Sequence, residues 1–96
     1  MLIAVKYRSR TEIMAQILET AKGGASKTKI MYNAYVSYTQ LRHYLEMLEN
    51  NELVLLDKTD NHYKTTLKGF VYLTAYGQIR DMTMPRQPMK SSEKLD

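Results

Sequence analysis

Apolar positions between residues 11 and 21 fall at Ile13, Met14, Ile17, Leu18 and Ala21, steps of three and four that gather one face of a helix. Ser9 is placed to cap that helix and Glu12, three residues on, to complete a capping box. Gly23-Gly24 stops it, since glycine takes the left-handed C-terminal position without steric cost. The pattern therefore predicts a first helix over residues 10–22. Ser26 opens a second, about two turns long, with Ile30, Met31 and Ala34 inward. Tyr35-Val36-Ser37 breaks it: Val36 tucks into the core and Ser37 caps a third helix whose stripe is Leu41, Tyr44, Leu45 and Leu48. Asn50-Asn51 is the expected end, because asparagine tolerates positive φ.

The period then changes. Residues 53–57 read as a strand and 62–66 as its return partner, with Asp60-Asn61 at the tip of a β-hairpin. Thr66 caps a last helix in which Leu67, Phe70, Val71, Leu73 and Ile79 are expected to supply apolar contacts. Gly69 and Gly77 weaken it, each by about 0.5–1 kcal/mol relative to alanine, and Pro85 ends it. Residues 1–8 read as an N-terminal arm, 9–84 as one domain and 85–96 as a flexible, mixed-charge tail.

Composition excludes more than it selects. The 96-residue chain has room for one small domain. With no cysteine, disulfides, thiolate metal sites and thiol nucleophiles are ruled out. No apolar run approaches the roughly 20 residues that span a bilayer, and the N-terminal MLIAV is too short for a signal sequence, so a cytoplasmic protein with no membrane partner is expected. The net charge of +4 is unevenly spread: no carboxylate lies between Glu19 and Glu46, while Lys22, Lys27, Lys29 and Arg42 all fall there. A single-sign surface of that kind draws in polyanions, of which nucleic acid is the commonest inside cells. The competing reading of the same residues is a solvated basic face with no partner.

Three helices, a hairpin and a final helix, with a tight break between helices two and three, is the order of a winged helix-turn-helix, an α+β fold. The run "RSRTEIMAQILETAKGGASKTKIMYNAYVSYTQLRHYLEMLENNELV", followed by "YKTTLKGF", resembles the small archaeal winged helix-turn-helix DNA-binding proteins over residues 8–76. Its most specific pieces are "KTKIMYNAYVSYTQL" and Tyr63-x-x-Thr66-x-x-Gly69, which bear on the fold more than on any target. The resemblance implies binding of double-stranded DNA, by a transcriptional regulator or a chromatin-like protein. Several such proteins pair through a long C-terminal helix in an antiparallel coiled coil. Here Pro85 and Gly77 leave no sustained heptad, so a homodimer through the C-terminal helix is expected without a long coiled coil.

Helix three, over residues 37–50, then enters the major groove. With Leu41, Leu45 and Leu48 inward, Thr39, Gln40, Arg42 and His43 lie on or beside the opposite face. Arg42 suits guanine and Gln40 adenine, each good pair discriminating by about 1–3 kcal/mol. Ser37, Tyr38 and Thr39 suit phosphates, which position without reading sequence; Tyr38, three residues before Leu41, fits the core equally well. Lys27 and Lys29 stand at a helix N-terminus that already favours anions. In the wing, Lys58, Asn61, His62 and Lys64 are candidates for flanking contacts, with Asp57 and Asp60 opposing them. Lys6, Arg8 and Arg10 form a basic arm.

Enzymatic chemistry finds little footing. His43 and His62 lack companions at metal-ligand spacing, no phosphate-binding glycine loop appears, and no nucleophile, base and acid cluster locally, so neither catalysis nor a cofactor is expected. The rival from another class is a protein-interaction module, with Met47, Tyr72 and Tyr76 as exposed apolar contacts. The acid-free stretch separates the two, since a duplex-binding surface needs it and a protein-binding one does not.

Overall fold

A computed structural model describes residues 8–83. The elements run α1 (Arg10–Thr20), α2 (Lys27–Ala34), α3 (Tyr38–Asn50), β1 (Val54–Asp57), β2 (His62–Thr65) and α4 (Leu67–Thr83). The first three helices each begin at a serine. Ser9 and Ser37 form reciprocal capping boxes with Glu12 and Gln40, and the Ser26 hydroxyl accepts from the Lys29 amide at 3.1 Å. Gly23 and Gly24 both take positive φ after α1.

Two further chain reversals use side-chain-bearing residues in the left-handed region. Tyr35 closes α2 at φ 54°, and Glu52 follows α3 at φ 61°. In each case the next amide reaches back five residues, Val36 to the Met31 carbonyl and Leu53 to that of Leu48, satisfying carbonyls the helix end leaves open. The expectation of a left-handed asparagine is therefore corrected by one residue. Asn51 keeps a negative φ because its amide side chain donates to the Met47 carbonyl at 2.9 Å, and the reversal falls on Glu52.

Ile17, Leu18, Ile30, Leu41, Leu48 and Val54 are fully buried and hold the three helices and β1 around one core. Burying each such side chain contributes about 1.5–3 kcal/mol before entropy is counted. The antiparallel hairpin pairs Val54 with Thr65 and Asp57 with His62. A further pair of backbone hydrogen bonds, Ala25 N–H to the Tyr63 carbonyl at 3.0 Å and Tyr63 N–H to the Ala25 carbonyl at 2.8 Å, ties the α1–α2 linker to β2. The Thr65 hydroxyl donates to the Leu18 carbonyl at 2.6 Å, so the hairpin base is held to α1 as well.

α4 departs most from the sequence reading. Leu67, Phe70, Val71 and Ile79 are exposed; of the expected contacts Leu73 packs on the core, joined by Tyr72. Met47, Tyr72 and Tyr76, expected on the surface, are half-buried. The rotation follows from Gly69, which is buried where α4 crosses the end of α3 and the base of the hairpin. Gly77 does not interrupt the helix, whose hydrogen bonding runs through it with open space around.

At the hairpin tip Asp57 accepts from the Thr59 amide at 3.0 Å and hydroxyl at 2.6 Å, and from Lys64 Nζ at 2.8 Å. The Lys64 hydrogen bond, ahead of the two from Thr59, holds the Asp57 carboxyl well below the usual carboxylate range. Asn61 takes φ 59°.

A Cβ at Gly69 would collide with the Leu53 carbonyl and stand 2.5 Å from Thr65 Cγ2, so Gly69→Ala should cost about 1–3 kcal/mol in denaturant unfolding. Gly77→Ala should raise stability by about 0.5–1 kcal/mol; equal effects at both sites would refute the close approach. Because the folded pKa of Asp57 is depressed, its contribution is present above the unfolded value near 3.9 and is lost as pH falls below it. Asp57→Asn should therefore lower the melting temperature at neutral pH and flatten its acid dependence; parallel wild-type and variant pH profiles would contradict this.

Candidate nucleic-acid interface

The surface of interest is assembled from the N-termini of α2 and α3 and the turn between them. Leu41, Tyr44, Leu45 and Leu48 bury one side of α3, which leaves Thr39, Arg42 and His43 exposed on the other. Glu46 follows one turn later on that same outward side. The acid-free part of α3 is thus its first half, where a helix entering a groove presents its N-terminal residues to base edges.

Lys27 joins the two helices. Its Nζ lies 5.5 Å from the centre of the Tyr38 ring, so the start of α2 and the first turn of α3 share one surface. Tyr38 is 53% exposed, which decides its placement: it is a surface residue and not part of the core. Lys29 and Arg42 are exposed and take part in no ion pair among the described residues. Lys22 is partly committed, to Glu19 at 2.9 Å and over the Phe70 ring at 5.8 Å.

Two of the sequence-derived contacts already have structural work. The Ser37 oxygen accepts from the Gln40 amide at 3.1 Å, and Gln40 Oε1 accepts from the Ser37 amide at 3.0 Å. Ser37 keeps a hydroxyl hydrogen to donate, and Gln40 keeps its NH2 group. Bidentate contact with adenine, which needs the amide oxygen in a different direction, competes with the cap.

The hairpin tip carries less free positive charge than its composition suggests. Lys64 is half-buried, bonded to Asp57 and 3.4 Å from Asp60, and it is held charged mainly by the hydrogen bond to Asp57. His62 Nδ1 stands 3.8 Å from Asp60 Oδ2. Lys58 and Asn61 are exposed and outside these contacts, which makes them the uncommitted candidates at the tip.

In the N-terminal arm Lys6 lies outside the described residues. Arg8 donates to the Tyr35 carbonyl at 3.0 Å, and Arg10 Nη2 is 4.0 Å from Met47 Sδ. Arg8 therefore braces the α2–α3 turn, while Arg10, the first residue of α1, lies against α3 instead of forming an arm. That turn also exposes two residues that the sequence reading left unassigned, Tyr32 and Tyr35, at 68% and 83%. Their signal was the three-residue spacing Tyr32, Tyr35, Tyr38, which steps off the Ile30–Ala34 apolar face. A left-handed residue with a Cβ costs about 1–2 kcal/mol that glycine would avoid.

No helix among the described residues is long and apolar enough to cross a membrane, and none of their histidine and acidic side chains gather as metal ligands. No curated protein matches the chain. Among solved structures it is similar in fold to Sso10a-2, a DNA-binding protein from Sulfolobus solfataricus, with a TM-score of 0.72 at 22% identity over 91% of this chain and 90% of that one. The family model described as winged helix-turn-helix matches residues 7–84, and with three capped helices, a hairpin and a closing helix in that order, the chain belongs to the winged helix-turn-helix family.

Proposed function

We propose that the protein binds double-stranded DNA, with the first half of α3 in the major groove, the N-terminus of α2 on the phosphate backbone and the hairpin as a wing alongside. The observation that carries this reading is the carboxylate-free run from residue 20 to residue 45, in which Lys27 lies over the Tyr38 ring at the start of α3 and Lys29 and Arg42 are exposed. Sso10a-2, which shares the fold, is a DNA-binding protein. Arg42 is the base-reading candidate, because its planar fork matches guanine O6 and N7. Lys27, Lys29, Thr39 and the Ser37 hydroxyl hold phosphates. Lys58 and Asn61 reach flanking backbone from the wing. Transcriptional regulation is the role that fits a single small duplex reader in the cytoplasm.

Duplex operators are commonly two-fold symmetric, and α4 offers a surface for pairing. Leu67, Val71, Ile79 and Met82 are exposed along it, beside a groove of about 590 Å³ between α1 and α4 that is lined by Tyr72, Ala75, Tyr76 and Ile79 among others. A second copy of α4 covers that surface in the homodimer.

Binding to a random-sequence duplex should weaken steeply with salt, and Lys27→Ala should lower the salt slope by about one. Arg42→Ala should weaken binding and, on a selected site, cost about 1–3 kcal/mol and relax specificity at one base pair. Failure to bind at low salt would reject the duplex reading and turn the search to protein partners. Light scattering should give twice the chain mass, with Val71→Glu and Ile79→Glu shifting it to one; a monomeric wild type at high concentration would reject pairing through α4.

A further inference from the structure

The α2–α3 turn carries more aromatic surface than duplex binding explains. Tyr32 ends up on the last turn of α2, Tyr35 at its C-cap and Tyr38 at the first position of α3, and all three are exposed. Aromatic side chains normally contribute by burying their rings, and these bury little. Tyr35 is the most exposed of the three and sits in the left-handed conformation that a glycine or asparagine would take more easily. The bracing hydrogen bond from Arg8 to its carbonyl fixes the turn that presents it. That left-handed cap leaves the Tyr35 ring in solvent, where its face is open to a partner.

The surroundings specify the partner. Lys27 lies over the Tyr38 ring, Lys29 and Arg42 are exposed in the first two turns of α2 and α3, and the nearest acids in sequence are Glu19 and Glu46. B-form duplex offers phosphates and groove edges to such a surface, but its base faces are stacked on one another. A single strand offers phosphates and open base faces together, and aromatic rings interleaved with cations match both. We propose that the α2–α3 turn is a stacking surface for the unpaired bases of single-stranded DNA, with Tyr35 and Tyr32 as stacking residues and Lys27, Lys29 and Arg42 on the backbone. This rests on the nucleic-acid reading of the same face and adds a second form of DNA to it.

The test uses oligothymidylate, which forms no duplex, alongside a random-sequence duplex, each labelled for fluorescence anisotropy at low salt. Wild type should bind oligothymidylate with quenching of tyrosine emission, which no tryptophan masks because the chain has none. Tyr32→Ala and Tyr35→Ala should each weaken single-strand binding about tenfold and reduce the quench, while duplex affinity changes by less than about twofold. Tyr35→Phe, which keeps the ring, should restore single-strand affinity, and unchanged circular dichroism should show that the variants fold. Absence of single-strand binding by wild type, alanine variants that bind as wild type does, or equal losses on both probes would overturn the proposal. Duplex binding without single-strand binding would leave the duplex reading standing alone; single-strand binding without duplex binding would do the reverse.

Discussion

The reciprocal hydrogen bonds between Ala25 and Tyr63 hold together two parts of the chain that local sequence does not connect. A four-residue, two-stranded hairpin is marginal in water by itself. Here β2 gains a second partner from the α1–α2 linker, and the Tyr63 ring is buried beside it, which pushes the tyrosine hydroxyl pKa up. The linker can supply that partner because Gly23 and Gly24 turn the chain away from α1 with positive φ. Thr65 and Thr66 extend the same seam by bonding to the Leu18, Leu53 and Glu52 carbonyls. The wing is therefore fixed relative to α1 and the end of α3, and the outward face of α3 is fixed relative to the wing.

Along that seam the closest approach belongs to α4. Gly69 lets the helix backbone lie against the Leu53 carbonyl, and the Thr66 hydroxyl caps the helix by accepting from the Gly69 amide at 3.0 Å. Lys68 extends from the same turn to the Asn51 carbonyl at 2.8 Å, closing the end of α3. One buried glycine thus sets how α4 rolls on the domain. Tyr72 is brought inward, where its hydroxyl donates to the Thr11 carbonyl at 3.2 Å, and Leu67 and Val71 are turned out.

That roll marks the boundary of what periodicity could reveal. For α1, α2 and α3 the apolar stripe and a serine cap agree, and both the helices and their inward faces were legible from Ile13 to Leu48. In α4, residues Leu67 to Ile79 are apolar on several sides, so no single stripe selects the buried face. The deciding residue is a glycine whose role appears only when Leu53 is brought beside it. The reversals at Tyr35 and Glu52 were hidden for a similar reason: neither residue has a local preference for positive φ, and the burial of Val36 and the return of Leu53 impose it.

The candidate interface was legible as charge and less so as geometry. Acid depletion from residue 20 to residue 45 is a property of the string, and the fold keeps Lys29 and Arg42 outward as that property required. What the string does not contain is competition for the same atoms. Ser37 and Gln40 are polar groups suited to DNA, yet they hold the first turn of α3 together. Lys64 is a cation on a wing, yet two carboxylates of the turn hold it. Because a side-chain atom committed to a cap or an ion pair must be released before it can serve a ligand, the uncommitted groups dominate. These are Arg42, Lys29 and the exposed tyrosines of the turn, with Lys58 and Asn61 on the wing, so the proposed interface is weighted towards the α2–α3 side of the domain.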